Sequence, residues 1–278
     1  MHKDTGKKVE VLARAWSAAW LIPGKQKLPF LVNPVDATRY LEFAYLLRLL
    51  SDRDVRPSRV LDVSSPVIIS YMLSSMGSMV IKTDINQDER KYVRPGPRLS
   101  FQQENATKLS FPDDSFDLVC SISVLEHIHE NYMEALREMI RVTNCNGLIY
   151  VTFPVCREFM EEWLDEPIYS DQKQEGKKTF FQYRFDGKSY DKIIQNLPAD
   201  VEIVSEDIFW ERWNGLYDWL MQRLRRDWGG LIIKHLRAGF LNLALGPIFF
   251  ESKAGSFERP KSFGNAHLLL KKKGSGYQ

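Results

Sequence analysis

Cysteine is scarce. The 278 residues hold three, Cys120, Cys145 and Cys156, with no C-x-x-C spacing. That excludes a disulfide framework or a cysteine zinc site as the organising device. An excess of charge of one sign is also missing. Thirty-eight Lys and Arg face 36 Asp and Glu, a formal net charge of +2, so no field draws the chain toward nucleic acid. Long apolar runs are absent too. The longest, near Gly239–Phe250, covers about 12 residues and contains Gly246 and Pro247, against the ~20 that a membrane span needs. The opening MHKDTGKKVE has charge but no apolar h-region, so no signal peptide is expected. These readings predict a cytoplasmic chain.

The most informative absence is local. RVLDVSSPVIIS, residues 59–70, reads as a buried strand, a tight turn and a helix start. Such a turn in a doubly wound protein is usually rich in glycine. Here Ser64, Ser65 and Pro66 occupy it. A dinucleotide pyrophosphate needs closely approaching backbone N–H groups, and Pro66 removes one donor outright. The turn therefore argues against a nicotinamide dinucleotide. Ser65 as N-cap with Pro66 at the first helical position is the expected helix start.

What is present alternates. Residues 1–35 read as an irregular N-terminal extension, with prolines at 23, 29 and 34, ahead of one domain over 36–278. Asp36 is a plausible N-cap for ATRYLEFAYLLRLL. Apolar segments Val60–Val63, Met79–Thr83, Phe116–Ser121 and Leu148–Phe153 read as strands, with Leu99–Gln103 a weaker one between them. Helical patterns over Val67–Met76, Val124–His127 or beyond, and Tyr132–Val142 separate several of them. Strands alternating with helices, and apolar rather than alternating strands, predict βαβ units in a sheet covered on both faces. Further on, residues 156–180 look polar and irregular. Asp186 can cap a helix over Lys188–Leu197, and Val201–Phe209 and His267–Leu270 add a sixth and a seventh strand. The predicted fold is α/β: a doubly wound, mostly parallel seven-stranded Rossmann-like sheet. A helical insertion over about 211–262 precedes the last strand. In that insertion Trp213, Tyr217, Leu220, Leu224 and Trp228 recur at helical spacing beside several arginines. Its readings are a lid over an apolar acceptor, a homodimer surface, a membrane-surface helix or a core-covering helix.

The ordered series VLDV, TDIN, NATKLSFPDDSFDLV, SVLEHI and ALREMIRVTNCNGLIYVTFP resembles the class I S-adenosylmethionine-dependent methyltransferases, in their small-molecule branch. The resemblance covers about residues 58–155, with a looser fit to 210. It departs from the family at D-x-G-x-G-x-G, where this chain has Asp62-Val63-Ser64-Ser65-Pro66-Val67-Ile68. S-adenosylmethionine carries no phosphate, so the glycine-free turn disfavours it less than it disfavours a dinucleotide. The resemblance implies that cofactor and a set of contacts. Asp84 would hold the ribose, unless it is a surface turn residue. Asn105 with Ala106 would lie beside the adenine. Ser64, Ser65 and Asp62 would meet the amino acid end, unless Asp62 only organises the loop amides. Ser121 closes the fourth strand beside them. His127 is the candidate general base, or an architectural residue, with Glu126 and His129 behind it. His127 and His129 do not share a helix face, so no metal is expected. The implied function is methyl transfer to a small-molecule acceptor, a sugar or natural-product hydroxyl among the options. The alternative is a non-catalytic binding or scaffold protein on the same fold.

Overall fold

The structure is a computed structural model that describes residues 37–167, 172–219, 250–253 and 256–274. The extension over 1–35, the Asp36 cap, and Leu220, Leu224 and Trp228 of the insertion lie outside the described residues.

The chain enters with α1 (Ala37–Asp52) and then alternates. β1 (Arg59–Val63), α2 (Val67–Ser75), β2 (Met79–Asp84), β3 (Leu99–Gln103) and β4 (Phe116–Ile122) come first. α3 (Tyr132–Val142) and β5 (Thr143–Val155) follow. Next come β6 (Met160–Leu164), β7 (Gln174–Glu175), β8 (Lys178–Arg184), α4 (Gly187–Gln195) and β9 (Val201–Glu211), then β10 (Phe250–Lys253) and β11 (Gly264–Lys272). The main sheet has the order β10-β9-β11-β5-β4-β1-β2-β3. Strands β1 to β5 are parallel to their neighbours in that group. β11 is antiparallel to both β5 and β9. The chain runs outward through β2 and β3, then returns to the other side of β1 with β4. That reversal opens a crevice at the carboxyl ends of β1 and β4, where open α/β sheets take their ligands.

Side-chain parity divides the interior into two cores. On one face α1 and α2 cover Val60, Leu118, Cys120, Leu148, Tyr150 and Leu269. On the other, α3 and α4 cover Leu61, Val119, Ile149, Val151, Phe153 and Leu268. Adjacent residues of one strand thus enter opposite cores, the period-two consequence of the pleat. α3 is helical because Ala135, Leu136, Met139, Ile140 and Val142 make one buried stripe.

The structure revises several sequence expectations. The main sheet has eight strands, because β10 pairs antiparallel with β9 at the edge. The segment read as irregular forms much of a second sheet, β6-β8-β7. The helix expected at Val124–His127 is a single 3-10 turn, Leu125–His127. Ser123 and Glu130 bracket it at φ 50° and 63°, conformations that end a right-handed helix on either side. Ser65 does not cap α2. Pro66 occupies that position, with no side-chain cap, because the Ser65 hydroxyl instead accepts the Ile122 N–H at 3.0 Å. The Asp186 cap is as expected: its carboxylate accepts the Ser189 N–H at 2.9 Å.

Candidate functional site

The turn after β1 is built from committed amides. The Ser64 N–H donates to the Thr83 carbonyl at 2.9 Å, and Ser64 itself sits at φ 55°. The Ser65 N–H donates to Asp62 Oδ1 at 3.1 Å. Pro66 has no N–H. Three consecutive positions therefore offer nothing to a pyrophosphate, and a phosphate-free nucleoside makes no such demand. Asp62 is fully buried and also accepts the Ser70 hydroxyl. Burial pushes its carboxyl up, against the pull of Lys82 and these hydrogen bonds. The Ser121 hydroxyl, likewise buried, donates to the Val63 carbonyl at 3.2 Å. Asp62, Ser65 and Ser121 thus stitch the turn to β4 from behind, and half-buried Ser64 fronts it.

Asp84 closes β2 with its side chain 17% exposed. Its Oδ1 accepts the Asn86 N–H at 2.9 Å. Its Oδ2 lies 3.9 Å from Lys82 Nζ, an ammonium with only 2% exposure. A carboxylate accepts hydrogen bonds at about four lone-pair sites, the chemistry that ribose hydroxyls need. Asn105 follows β3. Its carboxamide oxygen accepts the Thr107 N–H at 2.9 Å and the Thr107 hydroxyl at 2.8 Å, an Asx turn. Ala106, beside it, packs on the second core. The acidic residue Glu104 precedes them. It accepts the Ser110 N–H at 2.9 Å and the Ser110 hydroxyl. Asp84, Asn105 and the turn share the carboxyl edge. The donors and acceptors there fit S-adenosylmethionine.

Beyond β4 lies a second cluster, which the sequence reading largely missed. Glu42 of α1 is fully buried. Its Oε1 accepts Ser123 Oγ at 2.7 Å, Thr152 Oγ1 at 2.7 Å and Asn265 Nδ2 at 2.9 Å. Arg39 pairs with Oε2 at 2.9 Å. One carboxylate therefore joins α1, the end of β4, β5 and β11. Glu126, on the 3-10 turn, has 1% exposure, and its Oε2 finds no hydrogen-bond partner. Burial pushes its carboxyl up to about 8, against the attraction of Arg39. His127 Nδ1 lies 2.7 Å from the Phe181 carbonyl of β8. A carbonyl only accepts, so Nδ1 carries the proton and Nε2 the lone pair. Burial pushes this imidazole down to about 4. Its Nε2 is 3.9 Å from Glu126 Oε1. His129 turns away, ringed by Phe180, Trp163 and Tyr183. The signal for Glu42 was a glutamate within a helix otherwise apolar around it. Among the described residues no group of three His, Cys, Asp or Glu side chains is arranged to hold a metal, and no helix is long and apolar enough to cross a membrane.

Strand order, switch point and carboxyl-edge crevice define a class I S-adenosylmethionine-dependent methyltransferase fold. Residues 61–151 match the family model described as Methyltransferase domain. A "Probable S-adenosylmethionine-dependent methyltransferase" of Mycobacterium tuberculosis is 31% identical over 84 residues, 30% of this chain and 30% of the relative. An "Uncharacterized protein" of the same organism is 33% identical over 113 residues, 38% of this chain and 40% of the relative. The matched region thus spans less than half the length of these curated relatives. Among solved structures, MccD protein superposes with TM-score 0.51 at 15% identity, over 82% of this chain and 96% of that one. Coclaurine N-methyltransferase, solved with N-methylheliamine and S-adenosylhomocysteine, gives 0.50 at 15% identity, over 82% and 72%. These likenesses support the fold.

Proposed function

We propose that this protein transfers a methyl group from S-adenosylmethionine to a hydroxyl of a small molecule, a sugar or natural product. The observation that carries the reading is the turn after β1: its amides are spent internally, while a partly exposed carboxylate, Asp84, stands at the next strand end. That combination suits a nucleoside with ribose hydroxyls and no phosphate. Asp84 holds the ribose. Asn105 and Ala106 flank the adenine. Ser64 meets the amino acid end, while Asp62, Ser65 and Ser121 keep the turn in shape. When bound, the cofactor supplies a methyl group on a sulfonium, with a neutral thioether as leaving group.

The protein's own work is alignment, exclusion of water and handling of one proton. Holding nucleophile and methyl in line supplies much of the rate. A hydroxyl must lose its proton on attack, and His127 presents its Nε2 lone pair beyond β4 with its tautomer fixed by Phe181. Isothermal titration with S-adenosylhomocysteine tests the reading. Binding is expected, and Asp84→Ala is expected to weaken it at least about tenfold, since hydrogen bonds to a charged group contribute about 1.5–3 kcal/mol. No binding at millimolar ligand overturns it.

A further inference from the structure

The turn after β1 lacks glycine, and a buried charge is wired to it. Lys82 of β2 is 2% exposed. Strand register sets it beside Asp62 of β1, which lies in turn beside Cys120 of β4. Residues in register on neighbouring strands share a face. A carboxylate and an ammonium thus stand side by side on the face that bears Val60, Val80 and Cys120. The Lys82 ammonium reaches the carboxyl edge of the sheet. Its Nζ donates to the Thr83 carbonyl at 3.0 Å and lies 3.9 Å from Asp84 Oδ2. The same carbonyl accepts the Ser64 N–H at 2.9 Å. That bond ties down a residue at φ 55°, a conformation that glycine reaches freely and serine does not. The Thr83 hydroxyl donates to the Asp62 carbonyl at 3.1 Å. One ammonium therefore meets both features that the proposed function uses, the turn and the carboxylate at the end of β2. Taking an ammonium out of water is costly, and a well-packed apolar side chain in its place is often as stable or more so. A charge buried at such a position points to a task at the edge.

Resting on the proposed cofactor site, we infer that Lys82 is a positioning residue for the nucleoside: its ammonium fixes the Asp84 carboxylate for the ribose hydroxyls and clamps the glycine-free turn through the Thr83 carbonyl. Lys82 acts through those two groups and touches no ligand itself. Buried charge does here what backbone freedom does in a glycine-rich turn. The charged and titratable groups facing Lys82 come from four places. They are Asp62 of β1, Cys120 of β4, Asp84 at the end of its own strand, and Glu89 of the 3-10 turn Gln87–Tyr92 that follows. α2, VIISYMLSS, and β3, LSFQQ, bring no charged residue. Burial pushes the Cys120 thiol well up, so it stays neutral. Burial pushes the Asp62 carboxyl up, and the pull of Lys82 is the largest force against this. Burial and then the Asp84 charge push Glu89 up, again against Lys82. Three carboxyls share one cation. Without it, neighbouring like charges disfavour ionisation of all three, and protons bind more readily. A protonated Asp84 is a weaker acceptor for ribose, because hydrogen bonds to an ionised group are the stronger ones. Loss of the cation therefore has a sign: affinity falls as pH falls.

The test compares the full chain with Lys82→Met, which keeps an unbranched side chain and removes its charge. S-adenosylhomocysteine affinity is read by isothermal titration at pH 6, 7 and 8. Lys82→Met is expected to bind at least about tenfold more weakly than the parent at pH 6. Between pH 6 and pH 8 it is expected to recover at least about threefold of that loss relative to the parent. A merely structural lysine gives a uniform loss. A loss below tenfold at pH 6, or a recovery below threefold by pH 8, overturns the inference. A second measurement needs no change at Lys82, so it stands even where Lys82→Met fails to fold. The side-chain ammonium signal of Lys82, slow to exchange because it is buried, is followed by nitrogen–proton NMR. It is expected to shift in Asp84→Asn and, in the parent, on saturation with S-adenosylhomocysteine. A signal unmoved by either change overturns the inference. A parent that binds no S-adenosylhomocysteine at millimolar concentration strikes the proposed function instead. The Asp84→Asn shift is read without ligand, so the two failures are distinguishable.

Discussion

At the scale of the residue, the shifted titrations of Glu126, His127 and His267 each make stability depend on pH. His127 is held near 4. His267 is fully buried, with the Tyr150 hydroxyl 2.9 Å from its Nδ1, and is pushed down to about 3. In the unfolded chain both titrate near 6.5. Each therefore contributes stability that is present above pH 6.5 and is lost as pH falls through the folded value. Glu126 acts the other way. Its folded value near 8 lies above the ordinary 4.5, so its contribution is full below pH 4.5 and lost as pH rises toward 8. Between pH 6.5 and 8 Glu126 acts without the two histidines, each proton contributing about 1.4 kcal/mol per pH unit as an upper figure. Glu126→Gln is expected to remove that decline. Urea midpoints at pH 6.5, 7.25 and 8 should fall for the parent relative to the variant by up to about 1 kcal/mol per unit. Parallel curves would show that the carboxyl is not held protonated by the fold.

At the scale of the element, the parallel half of the sheet was legible because its strands, the edge strand β3 apart, are apolar runs punctuated by helices of ordinary length. The third strand was read at its observed bounds, Leu99–Gln103, and α3 at Tyr132–Val142. The small sheet was not legible. β7 is two polar residues and β6 reads MEEWL, so their pairing with β8 depends on contacts such as Phe180 against Trp163 that no local pattern announces. The turn after β1 was legible in composition but not in wiring, because a serine hydroxyl serves a helix cap or a neighbouring strand equally well. The Glu42 cluster joins residues more than 200 positions apart in sequence, beyond any spacing argument. Close approach also governs the start of β11. A Cβ on Gly264 would lie 2.5 Å from the Trp210 ring, which is fully buried and donates its indole N–H to the Ser256 carbonyl at 3.1 Å. Gly264→Ala is expected to destabilise the protein by about 1–3 kcal/mol, as overpacked cores do, read as a lower urea midpoint at unchanged slope. An unchanged midpoint would mean that the strand shifts at no cost.

At the scale of the whole molecule, two cores on opposite faces of one sheet fix its carboxyl edge, and the edge carries both clusters. The turn after β1 lies between β1 and β4, and the acid cluster lies between β4, β5 and β11. A ligand in the crevice therefore touches groups whose backbone belongs to the most buried strands, and its binding energy adds to global stability through mass action. At 100 times its dissociation constant, S-adenosylhomocysteine should add about 2.7 kcal/mol. For a chain of this size each kcal/mol moves the melting temperature by about 2–4 °C, so a rise of about 5–10 °C is expected. Asp84→Asn separates this effect from folding. The amide oxygen can still accept the Asn86 N–H that Oδ1 now takes, while the contact with Lys82 at 3.9 Å is weakened. The variant should thus melt within a few degrees of the parent when free and gain less than half the parent's shift at the same ligand concentration. An equal shift would place the nucleoside away from the end of β2 and remove the ribose role from Asp84.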